Sequence, residues 1–378
     1  MLEILLWTSL AVLAYIYAGY PLLALALARV AGRRIEYADR LPTVTWIVTA
    51  YNEEKHIEAK IANLLDLDYP ADRIDIIVAS DASSDGTDEI VRAYPAGNVR
   101  LLRVDGRLGK TACQNAAAAV ASGELLVFTD ATTSVSGDAL RAMARNFNDP
   151  AVGCVAGRLT YVSRDEQGVG RGGVSYWGYE IALRMAESSL GSLIGVSGCL
   201  YAVRRSAYRP IPPELISDFV IAMVMREQDL RTVLEPDATC MEETLERTDA
   251  ELSMRVRVTL RSLAALAWQR RFLNPLRYGT FAWQLWSHKL LRYLSPVFLV
   301  TALVTNAVLA LQGSYQWLLL MQLAGWTLGV LGFVPFALLG KSRVLVQPHY
   351  FLLTNLASAI SLIRFVRGDK VVTWTPVR

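Results

Sequence analysis

Asp81, Asp130 and Asp218 are the residues of this chain best placed to do chemistry, in the contexts VASDASSDGT, LVFTDATT and LISDF. The first two close apolar runs that read as parallel strands, and the third stands in a short acidic break, so all three can meet at one edge of a sheet. Carboxylates gathered there suit two tasks. As hard oxygen ligands they fit Mg2+ or Mn2+ beside a diphosphate, and a carboxylate near a hydroxyl can take its proton as a general base. Displacement of a diphosphate by a hydroxyl makes both demands.

The elements that must position them show as short β-branched runs alternating with longer amphipathic ones from Leu41 onward, the pattern of a parallel sheet covered by helices. Strands are predicted at Val44 to Ala50, Ile74 to Ala79, Val99 to Val104 and Leu125 to Phe128. Ile57, Ile61, Leu64 and Leu65 recur at helical spacing, and further helices are predicted from about Asp85 and from about Gly109 to Ala121. Four β/α units in order predict an α/β, Rossmann-like half. Ligands of such sheets bind beyond the carboxyl ends of the strands, where Asp81 and Asp130 fall.

The chain of 378 residues is 53% hydrophobic, yet 19% of it is charged. That mixture predicts one globular domain plus membrane segments. A net charge of +3 gives no argument for nucleic-acid binding. Cys113, Cys154, Cys199 and Cys240 show no CxxC spacing and read as free thiols, and His56, His288 and His349 are too scattered for a zinc site. Residues 4–28 carry no charge and exceed the roughly 20 needed to span a bilayer. A signal peptide is the competing reading, but a basic n-region and a small-residue cleavage pattern are both missing. Arg29, Arg33 and Arg34 follow at once, which predicts a multi-pass protein of the cytoplasmic (inner) membrane with its polar domain in the cytoplasm.

Three more apolar runs, at 294–312, 316–340 and 346–364, predict one membrane segment before the domain and three after it. A strict zigzag would put Arg364, Arg367 and Lys370 outside, against the charge rule, and a re-entrant or interfacial last run removes the conflict. Just before these runs, Trp283, Trp286, Leu290 and Leu294 share a helical face beside Arg277, Lys289 and Arg292, which reads as an interfacial helix, a core helix being the plain alternative. The predicted organisation is a membrane helix over 1–30, a cytoplasmic domain over 41–262, amphipathic helices over 263–293, a membrane region over 294–366 and a tail over 367–378.

The first strand ends in TAYNEE, with an aromatic face for a base and carboxylates for a ribose or ring N–H; the second ends in SDASSDGT, which doubles as a helix cap. Together and in order with GRLGK, DAT, GVSGCLY, ISDF and MRVRV, these segments resemble the family 2 glycosyltransferases of the processive type. That group contains the cellulose, chitin and hyaluronan synthases and the nodulation chitooligosaccharide synthases. The resemblance covers about residues 42–292. It implies a GT-A fold and donor contacts from Tyr51, Glu53 and Asp81, with Lys110 neutralising phosphate at a helix amino terminus, a place suited to anions. It implies Mg2+ or Mn2+ at Asp130, where Thr132 replaces the second carboxylate of the family's DxD. It implies an acceptor end lined by Ser197, Gly198, Cys199 and Tyr201, with Trp177 able to stack on sugar rings; a flexible loop before a buried strand is the plain alternative. Asp218, at the family's (T)ED position, is implied as the base. Arg255 and Arg257 stand at the QxxRW position and offer a planar fork to the diphosphate, while Met254 and Val258 replace the Gln and Trp.

The leading expectation is an inverting transferase that moves a sugar from a nucleotide-sugar donor, UDP-linked by the resemblance, to a growing glycan at the cytoplasmic face. Coupling to export through the membrane, with an export partner or a second copy of the chain, stays open. So does single addition to a lipid-linked acceptor. A noncatalytic nucleotide-sugar-binding scaffold is suggested by the departures at Thr132, Ser217, Met254 and Val258, against which stand the retained Asp130 and Asp218. A transporter is disfavoured because no intramembrane charge is poised as a relay.

Overall fold

In the computed structural model, residues 1–95, 97–162, 169–243, 248–333, 343–371 and 373 are described. Eight strands form one sheet in the order β3-β2-β1-β4-β7-β6-β8-β5. They are β1 Val44–Ala50, β2 Ile74–Ser80, β3 Val99–Arg103, β4 Leu125–Asp130, β5 Ser134–Val135, β6 Val152–Val162, β7 Leu200–Arg204 and β8 Arg231–Glu243. Every residue of β1 is buried, which explains why the strand carries no charge: Trp46 and Val48 pack on one face of the sheet with Ile57, Ile61 and Phe147, while Ile47 packs on the other with Phe128, Val220 and Phe272.

Strand register lines up the chemistry. β1 is parallel to β2 and β4, with Ala50 opposite Ser80 and Thr49 opposite Asp130, so the ends of all three strands are level and Asp81 lies just past β2. β7 is antiparallel to β4, with Leu200 opposite Thr129, and this reversal brings the loop before β7 alongside Asp130. The four predicted strands are present within two residues at each end. β6 and β8 were not predicted, and neither was the parallel pairing between them that extends the sheet.

Helices Leu2–Ala31, Thr280–Leu311 and Val346–Val366 are long and apolar enough to cross a membrane. Gln316–Leu331, at 16 residues, is about 24 Å long, short of the roughly 30 Å hydrocarbon core, and the rest of the predicted 316–340 run lies largely outside the described residues. Half of the predicted tail also lies outside them. No break separates the predicted amphipathic segment from the membrane run: helix Thr280–Leu311 is continuous through a π-helical turn at Leu285–Leu290. That turn rotates the expected apolar face, so Trp283 donates to Tyr15 Oη at 2.8 Å while Trp286 donates to Leu273 O at 2.9 Å.

Candidate functional site

At the carboxyl end of β4, Asp130 forms an ion pair with Lys110 Nζ, whose helix Lys110–Val120 starts on the same side of the sheet. Lys110 also donates to Gly198 O at 3.4 Å. A Cβ built on Gly198 would lie 3.0 Å from Lys110 Nζ and 3.0 Å from Asp218 Oδ2, so the glycine leaves room where Asp218 and Lys110, itself paired with Asp130, converge. Asp218 sits in the first turn of helix Ser217–Glu227, and its carbonyl accepts from Val196 N at 2.8 Å, which ties it to the glycine loop. Burial raises the Asp218 pKa; Lys110, Arg261 and Lys289 pull it back and Asp130 adds to the rise, leaving it above the ordinary aspartate value. Burial alone would depress Lys110, but Asp130 and then Asp218 hold its ammonium above the usual value.

The nucleoside side is built from the ends of β1 and β2. Arg107 lies 3.1 Å from the centroid of the Tyr51 ring and reaches Asp81 Oδ2 through Nε at 3.3 Å. Asp81 is fully buried and also accepts from Leu108 N at 2.8 Å and Gly109 N at 3.1 Å. Its carboxylate therefore holds the 107–109 segment, which is flanked by Gly106 and Gly109 at φ +79° and +92°. The planar guanidinium on Tyr51, ion-paired inward to a carboxylate, has the flat shape that a nucleobase would present. Glu53 is buried and pairs with His56 Nδ1 at 3.0 Å.

The two arginines of MRVRV part company on helix Thr248–Trp268. Burial depresses the Arg257 pKa and the charge of Asp130 draws it back. Arg255 turns away: it donates to Glu251 Oε1 at 2.7 Å and to Tyr350 Oη on the last helix. Helical geometry explains the split, because residues two apart point to opposite sides, and Arg255, expected at the donor, lies instead against Glu251 and Tyr350. The acceptor expectations are also corrected in part. Tyr201 is 1% exposed and stacks on Phe128 at 4.7 Å, a core residue because β7 is an inner strand. Cys199 is buried with its thiol directed at Glu242 Oε2, 3.3 Å away, and Ser197 is buried as well. Gly198 alone of the four reaches the convergence point. Trp177 falls among residues whose side chains are not described.

Three groups escaped the sequence reading. Glu242, at the end of β8, is pushed up to about 7 by burial and then by Asp130; an acidic pair closing a strand was its signal. Lys60 donates to Thr129 Oγ1 and Thr133 O, each at 2.8 Å, behind the Asp130 turn, and burial brings it down to about 8. Its signal was a lysine on the apolar stripe Ile57, Ile61, Leu64. Arg261, one turn beyond Arg257, is buried and faces Asp218.

Among the described residues no group of three His, Cys, Asp or Glu could by itself enclose a metal ion. Asp130, half-exposed and beside the exposed Thr132, does fit a cation that keeps most of its ligands as water and phosphate oxygens.

Residues 45–211 match the model of glycosyl transferase family 2. An N-acetylglucosaminyltransferase from Rhizobium sp. (strain N33) is 26% identical over 58% of this chain and 52% of its own. A poly-beta-1,6-N-acetyl-D-glucosamine synthase from Staphylococcus aureus (strain COL) is 25% identical over 68% of this chain and 65% of its own. The chain thus spans about half to two thirds of the length of these relatives. A mannosyltransferase from Pyrobaculum calidifontis, solved in complex with GDP-Man and Mn2+, superposes with a TM-score of 0.74 at 24% identity, covering 98% of this chain and 100% of that one. Level strand ends bearing Asp81 and Asp130, the Lys110 helix and the reversed β7 hold the candidate site, and all of them lie within residues 45–211, which carry a glycosyl transferase family 2 domain.

Proposed function

We propose that this chain is a membrane-anchored, inverting glycosyltransferase that moves a sugar from a nucleotide-sugar donor to a growing glycan at the cytoplasmic face. The observation that carries the reading is the convergence at Gly198, where Asp218 Oδ2 and Lys110 Nζ each come within 3.0 Å of one point beside Asp130. Asp218 takes the acceptor hydroxyl proton as its oxygen attacks the anomeric carbon from the face opposite the diphosphate. Lys110 and Arg257 hold the departing diphosphate against Asp130. Asp130 would hold Mg2+ or Mn2+, and the ion when bound would supply Lewis-acid neutralisation of leaving-group charge. Tyr51, Glu53 and Asp81 serve the nucleoside, and Arg107 leaves the Tyr51 face when the base arrives.

N-acetylglucosamine is the first sugar to test, since two relatives are named for it. The cytoplasmic placement of the 41–262 domain rests on Arg29, Arg33 and Arg34 after the first membrane helix. A second reading, single addition to a lipid-linked acceptor, is favoured by Val258, which is 39% exposed where processive members of the family place a Trp. Diphosphate release across UDP-, GDP- and dTDP-sugars, with and without Mn2+, followed by sizing of the product, tests both. Release with a ladder of products supports the glycan synthase, release with one product supports single addition, and no release from any donor would leave a binding scaffold.

A further inference from the structure

The segment that leads into the Asp218 helix is pinned at several backbone atoms. Arg261 Nη2 donates to Leu215 O at 2.6 Å, to Pro213 O at 3.3 Å and to Thr111 Oγ1 at 3.3 Å. Thr111 Oγ1 itself donates to Leu215 O at 2.8 Å. One turn further along the same helix, Asn115 donates to Ile211 O at 2.7 Å and accepts from Ile211 N at 3.1 Å. A guanidinium that is 8% exposed has thus been desolvated to gather carbonyls of one loop and a hydroxyl of another element.

Every end of this knot adjoins the site. Thr111 follows Lys110, the cation on Asp130. Leu215 stands three residues before Asp218, and Ile216, next along, receives the first hydrogen bond of the Asp218 helix, from Val220 N at 3.1 Å. Arg261 lies one turn from Arg257 on helix Thr248–Trp268, whose opposite side meets the last helix through Arg255 and Tyr350 and through Ser361 Oγ, which donates to Val256 O at 3.1 Å. All three bonds leave from Nη2, and a lysine in place of Arg261 would keep the charge but end on a different stem, so its ammonium would not sit where the end of the longer guanidinium meets all three acceptors.

We propose that Arg261 is a positioning residue for sugar transfer: with Thr111 it locks the segment before Asp218 onto the helix that carries Lys110, so that base and diphosphate cation keep one separation. This rests on the reading of Asp218 as the base. A reacting pair held to within fractions of an ångström loses about a hundredfold in rate for a 1 Å misplacement, whereas nucleotide binding to Tyr51 and Asp81, on the other side of Asp130, does not use the knot.

The test uses the full-length chain in detergent with Arg261→Lys, Thr111→Val and Asp218→Asn, reading kcat with UDP-N-acetylglucosamine (or the donor turned over in its place), UDP affinity by calorimetry, and Tm. The expected result is a kcat lower by about tenfold or more in Arg261→Lys and by several-fold in Thr111→Val, with UDP affinity within about twofold of native, Tm nearly unchanged, and Asp218→Asn at background. Native kcat in both knot variants, with Asp218→Asn inactive, would overturn the positioning role and leave the base reading standing. Parallel losses of UDP affinity and Tm in both knot variants would overturn it too, as plain destabilisation. An active Asp218→Asn would instead bring down the base reading, and this proposal with it.

Discussion

In the proposed reaction a single carboxylate, Asp218, acts as the base, and its surroundings set the pH at which it would work. Burial holds its pKa above that of an ordinary aspartate against the pull of Lys110, Arg261 and Lys289. The base must be ionised to accept a proton, so kcat/KM should fall on the acid side at a pH higher than a free aspartate would give, and a pH–rate profile reads this directly. Asp218→Asn should remove transfer by several orders of magnitude while UDP still binds, as measured by calorimetry. Glu242 makes a separate statement about stability. Its folded pKa of about 7 exceeds the ordinary glutamate value of 4.5, so the fold binds this proton more tightly than the unfolded chain does. The resulting stabilisation is complete below the unfolded value and is lost as pH rises through about 7. Glu242→Gln should therefore melt a few degrees higher than native at pH 8 and show little gain at pH 5, and equal shifts at both pH values would refute the assignment.

At the level of elements, the site is made by the bends that close the strands. Tyr51 and Asp81 are each succeeded by a residue in the left-handed region, Asn52 and Ala82, both at φ 55°. For alanine that conformation costs ~1–2 kcal/mol. The bends turn the chain sharply at the sheet edge, and Asn52 is held there by Ser84 N, which donates to Oδ1 at 2.8 Å. Ala82→Gly should stabilise the domain by up to ~1 kcal/mol in denaturant unfolding, because glycine relieves the strain but adds unfolded-state entropy. Gly198 gives the opposite case. A methyl group there would press on both Asp218 Oδ2 and Lys110 Nζ at 3.0 Å, so Gly198→Ala should lower kcat by about a hundredfold and move Tm little, since the clash falls on two movable side-chain ends.

For the molecule as a whole, a buried polar knot joins the membrane helices to the catalytic domain. Glu180 and Glu187 of helix Val169–Leu190 both meet His288, at 2.6 and 2.7 Å. Tyr20 of the first helix donates to Glu187, and Arg292 pairs with Glu180 at 3.0 Å. Ion pairs in such a place are held at a desolvation cost, and losing one partner is worse than losing both. Arg292→Met should destabilise the detergent-solubilised protein by of order 3 kcal/mol, read as a lower Tm, and Arg292→Met with Glu180→Gln should recover part of the loss. A native Tm in the single variant would mean that the membrane helix is only tethered to the domain.

By itself the sequence determined the local part of this protein. The uncharged β-branched run of β1 reads as a strand, residues 4–28 are long and apolar enough to cross a membrane, and Asp81 and Asp130 stand where parallel strands end. These features are written within a few residues of one another, so periodicity and hydropathy expose them. The tertiary structure decided what depends on long-range pairing. The reversal at β7 put Tyr201 into the core and Gly198 at the site, the register of β8 brought Glu242 to Asp130, and helix phase sent Arg255 to Tyr350 and Arg261 to the segment before Asp218. No local pattern specifies those distances, because they are set by where distant segments can pack while keeping their backbone hydrogen bonds.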